Sequence, residues 1–356
     1  MTKVVEKIRE LNGSIGRPLK FMEVCGTHTV AIFRHGIRDV IPKDISLLSG
    51  PGCPVCVTPI RDVDAAIAIS KRGDSVLSTF GDMMRVPGSN RQSLYHAQAE
   101  GANIRIVYSP MDALKLALEN KDKNVVFFAT GFETTSPSIA GTLSEAERVG
   151  AENFFIYSAH KIVPPALKAL LDSPDLKIDG FILPGHVTTI IGTKPYEFIA
   201  TDYKIPSVVT GFEAEDILQS IMMLLDQTAS GRAEVEIQYT RVVKPEGNQK
   251  AMSLINTYFE PCDANWRGIG VIPGSGLKLR DVVKRFDVSR VFDLQIPEGQ
   301  EPKGCQCGLV LRGIKIPTDC HLFGKACTPE HPVGACMVST EGSCAAYYKY
   351  SSVIRS

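Results

Sequence analysis

The chain has 356 residues, and its 39 Lys and Arg balance 39 Asp and Glu. Zero net charge excludes the basic stripe of a dedicated nucleic-acid binder, and no block of like charge marks a membrane-surface segment or an acidic tail. The length suffices for two or three domains with substantial cores.

From the first residue, MTKVVEKIRELNG spaces Val4, Val5, Ile8 and Leu11 among charges, which predicts a short amphipathic helix ending near Gly13. It carries no signal-peptide apolar core, and no apolar run reaches the ~20 residues of a membrane helix. A cytoplasmic protein is expected. Further along, short apolar runs recur: ISLLSG, SVLSTFG, IRIVYS, VVFFATG, FFIYSAH, FILPGH, SVVTGFE and GIGVIPGSG. Between the first two lies PIRDVDAAIAISKRG, a helical pattern with Thr58 as cap, Pro59 in the first helical position and Gly73 as its end. EAEDILQSIMMLLDQTASG is a second helix, with Ile217, Leu218, Ile221, Leu224 and Leu225 on its buried side. Strands alternating with helices predict parallel α/β units. The expected architecture is two Rossmann-like α/β domains around a cleft, over residues 1–120 and 121–232. A small Cys-rich module over 233–356 follows. Ligands collect at the carboxyl ends of such strands. The unusual segments CGTHT, GPGCPVC, FGDMM, TGFETTSP, SAHK, PGHVTT, TGFE and PGSG all fall there.

In a reducing compartment, ten cysteines point to metal binding or catalysis rather than structural disulfides. Cys25 follows the run LKFMEV and precedes a helical pattern for which Thr27 is the expected cap. A thiol near a helix N-terminus is expected to favour its thiolate. Cys53 and Cys56, in Cys-Pro-Val-Cys, also precede a helix. The three thiols could converge on one soft or borderline metal, such as iron or zinc. Alternatively, Cys53 and Cys56 form a redox pair, or Cys25 is only a small packing residue. Six more cysteines, Cys305, Cys307, Cys320, Cys327, Cys336 and Cys344, fall within forty residues. No pair has the two-residue gap of a zinc ribbon or bacterial ferredoxin, so spacing alone leaves structural zinc and an iron–sulfur cluster open.

FMEVCGTHT, GPGCPVC, GFETTSP, PGHVTT, IPGSGL and the tail DCHLFGKACTPEHPVGACMVSTEGSCAAYYKY resemble, in order, the HypD family of [NiFe]-hydrogenase maturation proteins. The resemblance runs from about Lys20 to Tyr350. It implies a [4Fe–4S] cluster on four cysteines spaced Cx14Cx6Cx16C, which Cys305, Cys320, Cys327 and Cys344 match. Cys307 and Cys336 are then spare. The family's N-terminal cysteines correspond to Cys25, Cys53 and Cys56. The resemblance further implies a complex with the small chaperone HypC, on which iron is built into Fe(CN)2CO with cyanide supplied by HypE. The cluster would relay electrons to the Cys53–Cys56 pair beside the iron.

Other strand-end residues carry two readings each. His28 is a proton donor, an iron ligand or its support; equally, it is a helix-capping histidine bonded to backbone. Glu133 orients a ligand or moves protons, or it caps the next helix. His186 points into the cleft, and Asp82 and His160 sit at further strand ends. Met83 and Met84 read as packing. IPGSGL lacks the Lys-Ser/Thr ending of a P-loop and reads as a turn, so no nucleotide site is expected. Two other functions compete with an iron-carrying scaffold. One is an iron–sulfur-linked thiol–disulfide oxidoreductase with Cys53 and Cys56 as its active pair. The other is a binding module built on structural zinc.

Overall fold

Two parallel sheets form where the apolar runs fall, in a computed structural model that describes residues 2–296 and 299–350. The first sheet contains β1 (Leu19–Glu23) and β2 (Ile45–Ser49). The second contains β3 (Ser75–Thr79), β4 (Ile104–Ile106), β5 (Asn124–Ala129) and β6 (Phe154–Ser158), in the order β4-β3-β5-β6. The chain then returns to the first sheet with β7 (Gly180–Pro184), β8 (Ser207–Thr210) and β9 (Val235–Ile237), which completes the order β2-β1-β7-β8-β9. Every residue of β3, β7 and β8 is buried, as expected of strands covered on both faces.

The sheets divide the chain differently from the expected segments. β3 pairs with β5 across residue 120, and β9 lies beyond residue 232 yet forms the edge of the first sheet. The reason is that strand–helix rhythm reveals strands but not partners. Parallel neighbours can be any distance apart in sequence, because their pairing needs a crossover rather than a turn. A two-stranded antiparallel ribbon, β10 (Phe259–Trp266) and β11 (Gly270–Leu279), follows. IPGSGL lies inside β11 rather than in a turn. Gly274 takes a positive φ there, and the Ser275 hydroxyl accepts a 2.7 Å hydrogen bond from Trp266 Nε1.

The helices follow their patterns closely. Ala214–Ala229 buries Ile217, Leu218, Ile221, Leu224 and Leu225, and its start is fixed by a capping box between Glu213 and Asp216. The helix Thr2–Ile15 packs beside it. The helix Ile60–Ser70 starts one residue later than expected, with Pro59 as its extended N-cap, and ends at Lys71 rather than Gly73. Met83 and Met84 are buried core residues. Among the described residues from Cys305 on, regular structure is limited to Cys307–Leu311, two single 3₁₀ turns and the helix Ser343–Tyr350. That last helix packs on Gly26–Arg34, with Tyr347 edge-on to Phe33 at 4.6 Å. Among the described residues, no helix is long and apolar enough to cross a membrane.

In the first sheet, strand order reverses between β1 and β7; in the second, between β3 and β5. Ligands favour these reversal points in open α/β sheets. The residues at the carboxyl ends of these four strands are Cys25, His186, Asp82 and Glu133, together with their neighbours.

Candidate functional site

Cys25 leaves β1 and is itself the extended N-cap of the helix Gly26–Arg34, a place expected for Thr27. The Thr27 hydroxyl instead donates a 2.7 Å hydrogen bond to Glu341 of the C-terminal tail. The loop after the neighbouring strand β2 lies directly against Cys25: Gly26 N–H donates to Gly52 O at 3.1 Å. A Cβ on Gly52 would stand 2.2 Å from Cys25 N and 2.4 Å from Val24 C. Backbone cannot give way as a flexible side chain does. Gly52→Ala is therefore expected to cost about 1–3 kcal/mol or more, read as a lower midpoint in thermal unfolding of the full chain. An unchanged midpoint would show that the two loops are not locked together.

The next residue, Cys53, is the N-cap of a single helical turn, Pro54–Val57. Its sulfur accepts from Cys56 N–H at 3.3 Å, and the two sulfurs are 2.7 Å apart. Both are buried thiols in contact, so a disulfide needs only a small approach. Among the described residues, no three His, Cys, Asp or Glu side chains are placed to hold one ion. As they stand, Cys25, Cys53 and Cys56 do not form a closed three-thiolate site.

The electrostatics of Cys25 differ from the expectation. Burial pushes its thiol up to about 12, and the carboxylates of Glu341 and Glu23 add to the rise. The N–H of His28 at the helix start opposes this but does not win. Glu23 is itself buried and pushed up to about 7 by loss of water, although it accepts hydrogen bonds from Cys25 N–H (3.0 Å) and from the Thr29 hydroxyl. Two carboxyl groups beside one protonated thiol make a site that gains by exchanging the proton for a cation.

His28 is fully buried, and its Nε2 donates to the carbonyls of Gly211 (2.9 Å) and Thr210 (3.2 Å) beyond β8. It is thus backbone-bonded, but to another strand end rather than to its own helix. Burial lowers it to about 4, so it is neutral. Its ring stacks on Phe212 at 4.6 Å, and exposed His186 stacks on the same ring at 3.9 Å. His28 and His186 therefore stand in one aromatic stack across the first sheet's reversal point. The Gly211 loop is held by Asp216, which takes two hydrogen bonds from Arg241 at 2.6 and 2.7 Å.

Asp82 and Glu133 belong to the second sheet. Asp82 accepts a 2.8 Å hydrogen bond from Ser339, two residues before Glu341. The tail segment Ser339–Glu341 thus ties the ends of β3 and β1 together. Glu133 caps no helix of its own; its Oε1 accepts from Val163 N–H at 2.9 Å, at the start of the helix Val163–Leu171. Its Oε2 has no partner among the described residues, and burial pushes the carboxyl up to about 7. A raised carboxyl penalises the folded state as it ionises. The penalty is absent below the ordinary value near 4.5 and complete above about 7. Glu133→Gln is therefore expected to be neutral at pH 4 and to stabilise by about 1–3 kcal/mol at pH 8, read by urea unfolding at both values. Equal effects at the two pH values would contradict this. His160 is buried within the second sheet's end, with Nδ1 at 3.0 Å from Ser158 Oγ.

The C-terminal cysteines gather on one mostly apolar cavity lined by Cys305, Cys307, Cys320, Cys327 and Cys344, with Leu322, Phe323 and Met337. Of the two thiols left over by spacing, Cys307 lines this cavity and Cys336 lies outside it, in a turn packed on Pro54–Val57. Cys305 meets Cys307. Cys336 meets Cys307, Cys344 and Cys56. Cys56 meets Cys53. Neighbouring thiols therefore extend from the C-terminal cavity to the pair beside Cys25. The neighbouring thiols Cys307, Cys344 and Cys56 favour the Cys336 thiolate, while burial pushes Cys56 up and the Cys307 and Cys336 thiols push Cys344 up. Cys307, Cys336, Glu23 and Glu341 belong to the site, although sequence motifs did not single them out. Only cysteine density could have drawn attention to the first two, and nothing local marks Glu341.

Comparison with known proteins gives one consistent answer. The family model HypD, described as the Hydrogenase formation hypA family, matches residues 1–351. The chain is 49% identical over 340 residues to the hydrogenase expression/formation protein HupD of Azotobacter chroococcum mcd 1, which covers 94% of this chain and 90% of that protein. It is 48% identical over 340 residues to the hydrogenase maturation factor HypD of Azotobacter vinelandii, with the same coverage. It is 45% identical over 342 residues to that of Cupriavidus necator, covering 94% and 90%.

Proposed function

Because the chain belongs to the HypD family of hydrogenase maturation factors, we propose that it is the redox scaffold on which hydrogenase iron receives its diatomic ligands. In this reading iron is cargo, held by Cys25 and completed by a ligand from a HypC-type chaperone, and cyanide arrives from a HypE-type donor. The observation that carries the reading is the run of sulfurs from the C-terminal cavity to Cys53 and Cys56, whose loop touches Cys25.

The cysteine cavity suits an iron–sulfur cluster. Cys305, Cys320 and Cys327 come from loops and Cys344 from the start of the helix Ser343–Tyr350, and all four line one mostly apolar space. Soft thiolates in that setting suit iron and disfavour hard cations. These four residues would hold a [4Fe–4S] cluster, which when bound supplies single electrons. The chain's own residues do the rest. Burial, reinforced by Glu341 and Glu23, keeps the Cys25 thiol protonated until a cation replaces the proton. The Cys53–Cys56 disulfide takes up two electrons and two protons to become the dithiol, and the reverse step returns them. Cys307 and Cys336 shorten each transfer between the two ends. Phe212, His28 and His186 form an aromatic wall beside the site.

A second reading, a thiol–disulfide oxidoreductase without iron cargo, is favoured by the 2.7 Å contact between Cys53 and Cys56. Anaerobic purification with iron analysis and EPR separates the two. A reducible cluster plus additional iron bound only when the pair is reduced supports the scaffold. A cluster with no further iron supports the oxidoreductase. Colourless protein with stoichiometric zinc rejects both.

A further inference from the structure

The turn joining β10 to β11 is driven into the interior. Trp266 and Arg267 are 0% and 1% exposed. The N–H of Arg267 donates to Val57 O at 2.9 Å, one residue beyond Cys56. On its other side the turn abuts the residue after Cys307: a Cβ on Gly268 would lie 2.6 Å from Gly308 Cα, and one on Gly308 would lie 2.1 Å from Gly268 O. Arg267 is thus clamped between the two groups of thiols. Its guanidinium is poorly satisfied. Nε lies 3.5 Å from the Glu301 carboxylate, which is half exposed, and neither Nη1 nor Nη2 has a partner among the described residues.

A guanidinium offers five N–H donors and stays charged in proteins. Burying that charge without a full partner is costly, so something anionic belongs beside it. Its turn packs on Gly308, next to Cys307, which lines one cavity with Cys305, Cys320, Cys327 and Cys344.

We propose that Arg267 is the counter-charge of the centre held by Cys305, Cys320, Cys327 and Cys344, and that it sets that centre's reduction potential. The proposal rests on the cluster reading above. One electron entering from an external reductant adds one negative charge and breaks no bond. A fixed cation in a water-poor site favours that reduced state, because little solvent screens it. Glu301 partly offsets the cation, and solvent weakens that offset.

The test is a dithionite titration of the full chain, reconstituted anaerobically and followed by EPR, with iron counted in every sample. In Arg267→Gln the reduced-to-oxidised ratio at fixed potential should fall at least tenfold, a drop of about 59 mV for one electron. Arg267→Lys keeps the charge and should stay within about threefold of the parent. Glu301→Gln, at a half-exposed position, should move the ratio the opposite way. A full complement of iron in Arg267→Gln with an unchanged midpoint overturns the proposal and leaves the cluster reading intact. No cluster in the parent chain overturns the cluster reading itself. If Arg267→Gln fails to hold iron, Glu301→Gln decides: a raised midpoint supports the counter-charge, and an unchanged or lowered one rejects it.

Discussion

Cys25→Ser is expected to abolish the infrared bands of iron-bound cyanide and carbon monoxide in the complex with a HypC-type partner, while the C-terminal cluster keeps its full iron. Serine is close to cysteine in size, and Cys25 is partly exposed, so the fold should persist. The loss is one of ligand chemistry. The surroundings already hold the thiol up at about 12, so binding depends on iron displacing a proton from sulfur. An alcohol gives up its proton far less readily, and the oxygen it leaves is a poor ligand for a soft metal. Mobility and secondary structure should match the parent. Bands of parental intensity in the variant would remove Cys25 from the site.

This result depends on a residue that was legible in the sequence, and the reasons show where such reading stops. Cys25, Cys53 and Cys56 stand out because each follows an apolar run and sits among Gly and Pro at a strand end. The parallel fold was legible for the same reason. Which strands pair was not, since β1 finds β2 nearby but β7 far away, and no local pattern records the second choice. The capping of Gly26–Arg34 was misplaced by two residues because Thr27 is the better capping side chain by type. The geometry gives Thr27 to Glu341 instead. The direction of the Cys25 shift was missed for a related reason. The backbone N–H groups are local and readable, whereas the burial and the two carboxyl groups that outweigh them are set by tertiary packing, one of them by the tail. Cys307 and Cys336 were left over by spacing, and only the fold brings them close to both groups of cysteines.

The second large effect is expected at the other end of the sulfur run. Cys327→Ala should eliminate the cluster's absorption and EPR signal entirely and loosen residues 305–350 to proteolysis. Apart from the helix Ser343–Tyr350, that region has little regular structure, so bound metal contributes its affinity to the region's folding. Cys320→Ala should behave alike. Cys336→Ala should keep the cluster, because Cys336 does not line the cavity, and yet disconnect it. Its thiol is the one that touches both Cys307 and Cys56. Reduced cluster should then reduce the Cys53–Cys56 disulfide at least tenfold more slowly, as followed by alkylation of freed thiols. If Cys336→Ala loses the cluster and Cys327→Ala retains it, the ligand set is wrong. If Cys336→Ala reduces the disulfide at the parental rate, the route between the centres bypasses it.

The return of the chain to its first sheet also sets a timetable for synthesis. β1 and β2 emerge about 130 residues before β7, which at 5–20 residues per second is roughly 7–26 s of translation. During that interval β1 has one neighbour and one open edge. The second sheet, contained within residues 75–158, can be completed on the ribosome while the first still waits. A nascent chain stopped before β7 would therefore display a finished sheet attached to an unfinished one whose exposed edge invites pairing with other chains. It would also hold Cys25 without the Gly211 carbonyl that seats His28 and without Glu341. The loops around Cys25 are thus among the last parts of the molecule to be completed, and a half-made protein holds that thiol without the partners that surround it.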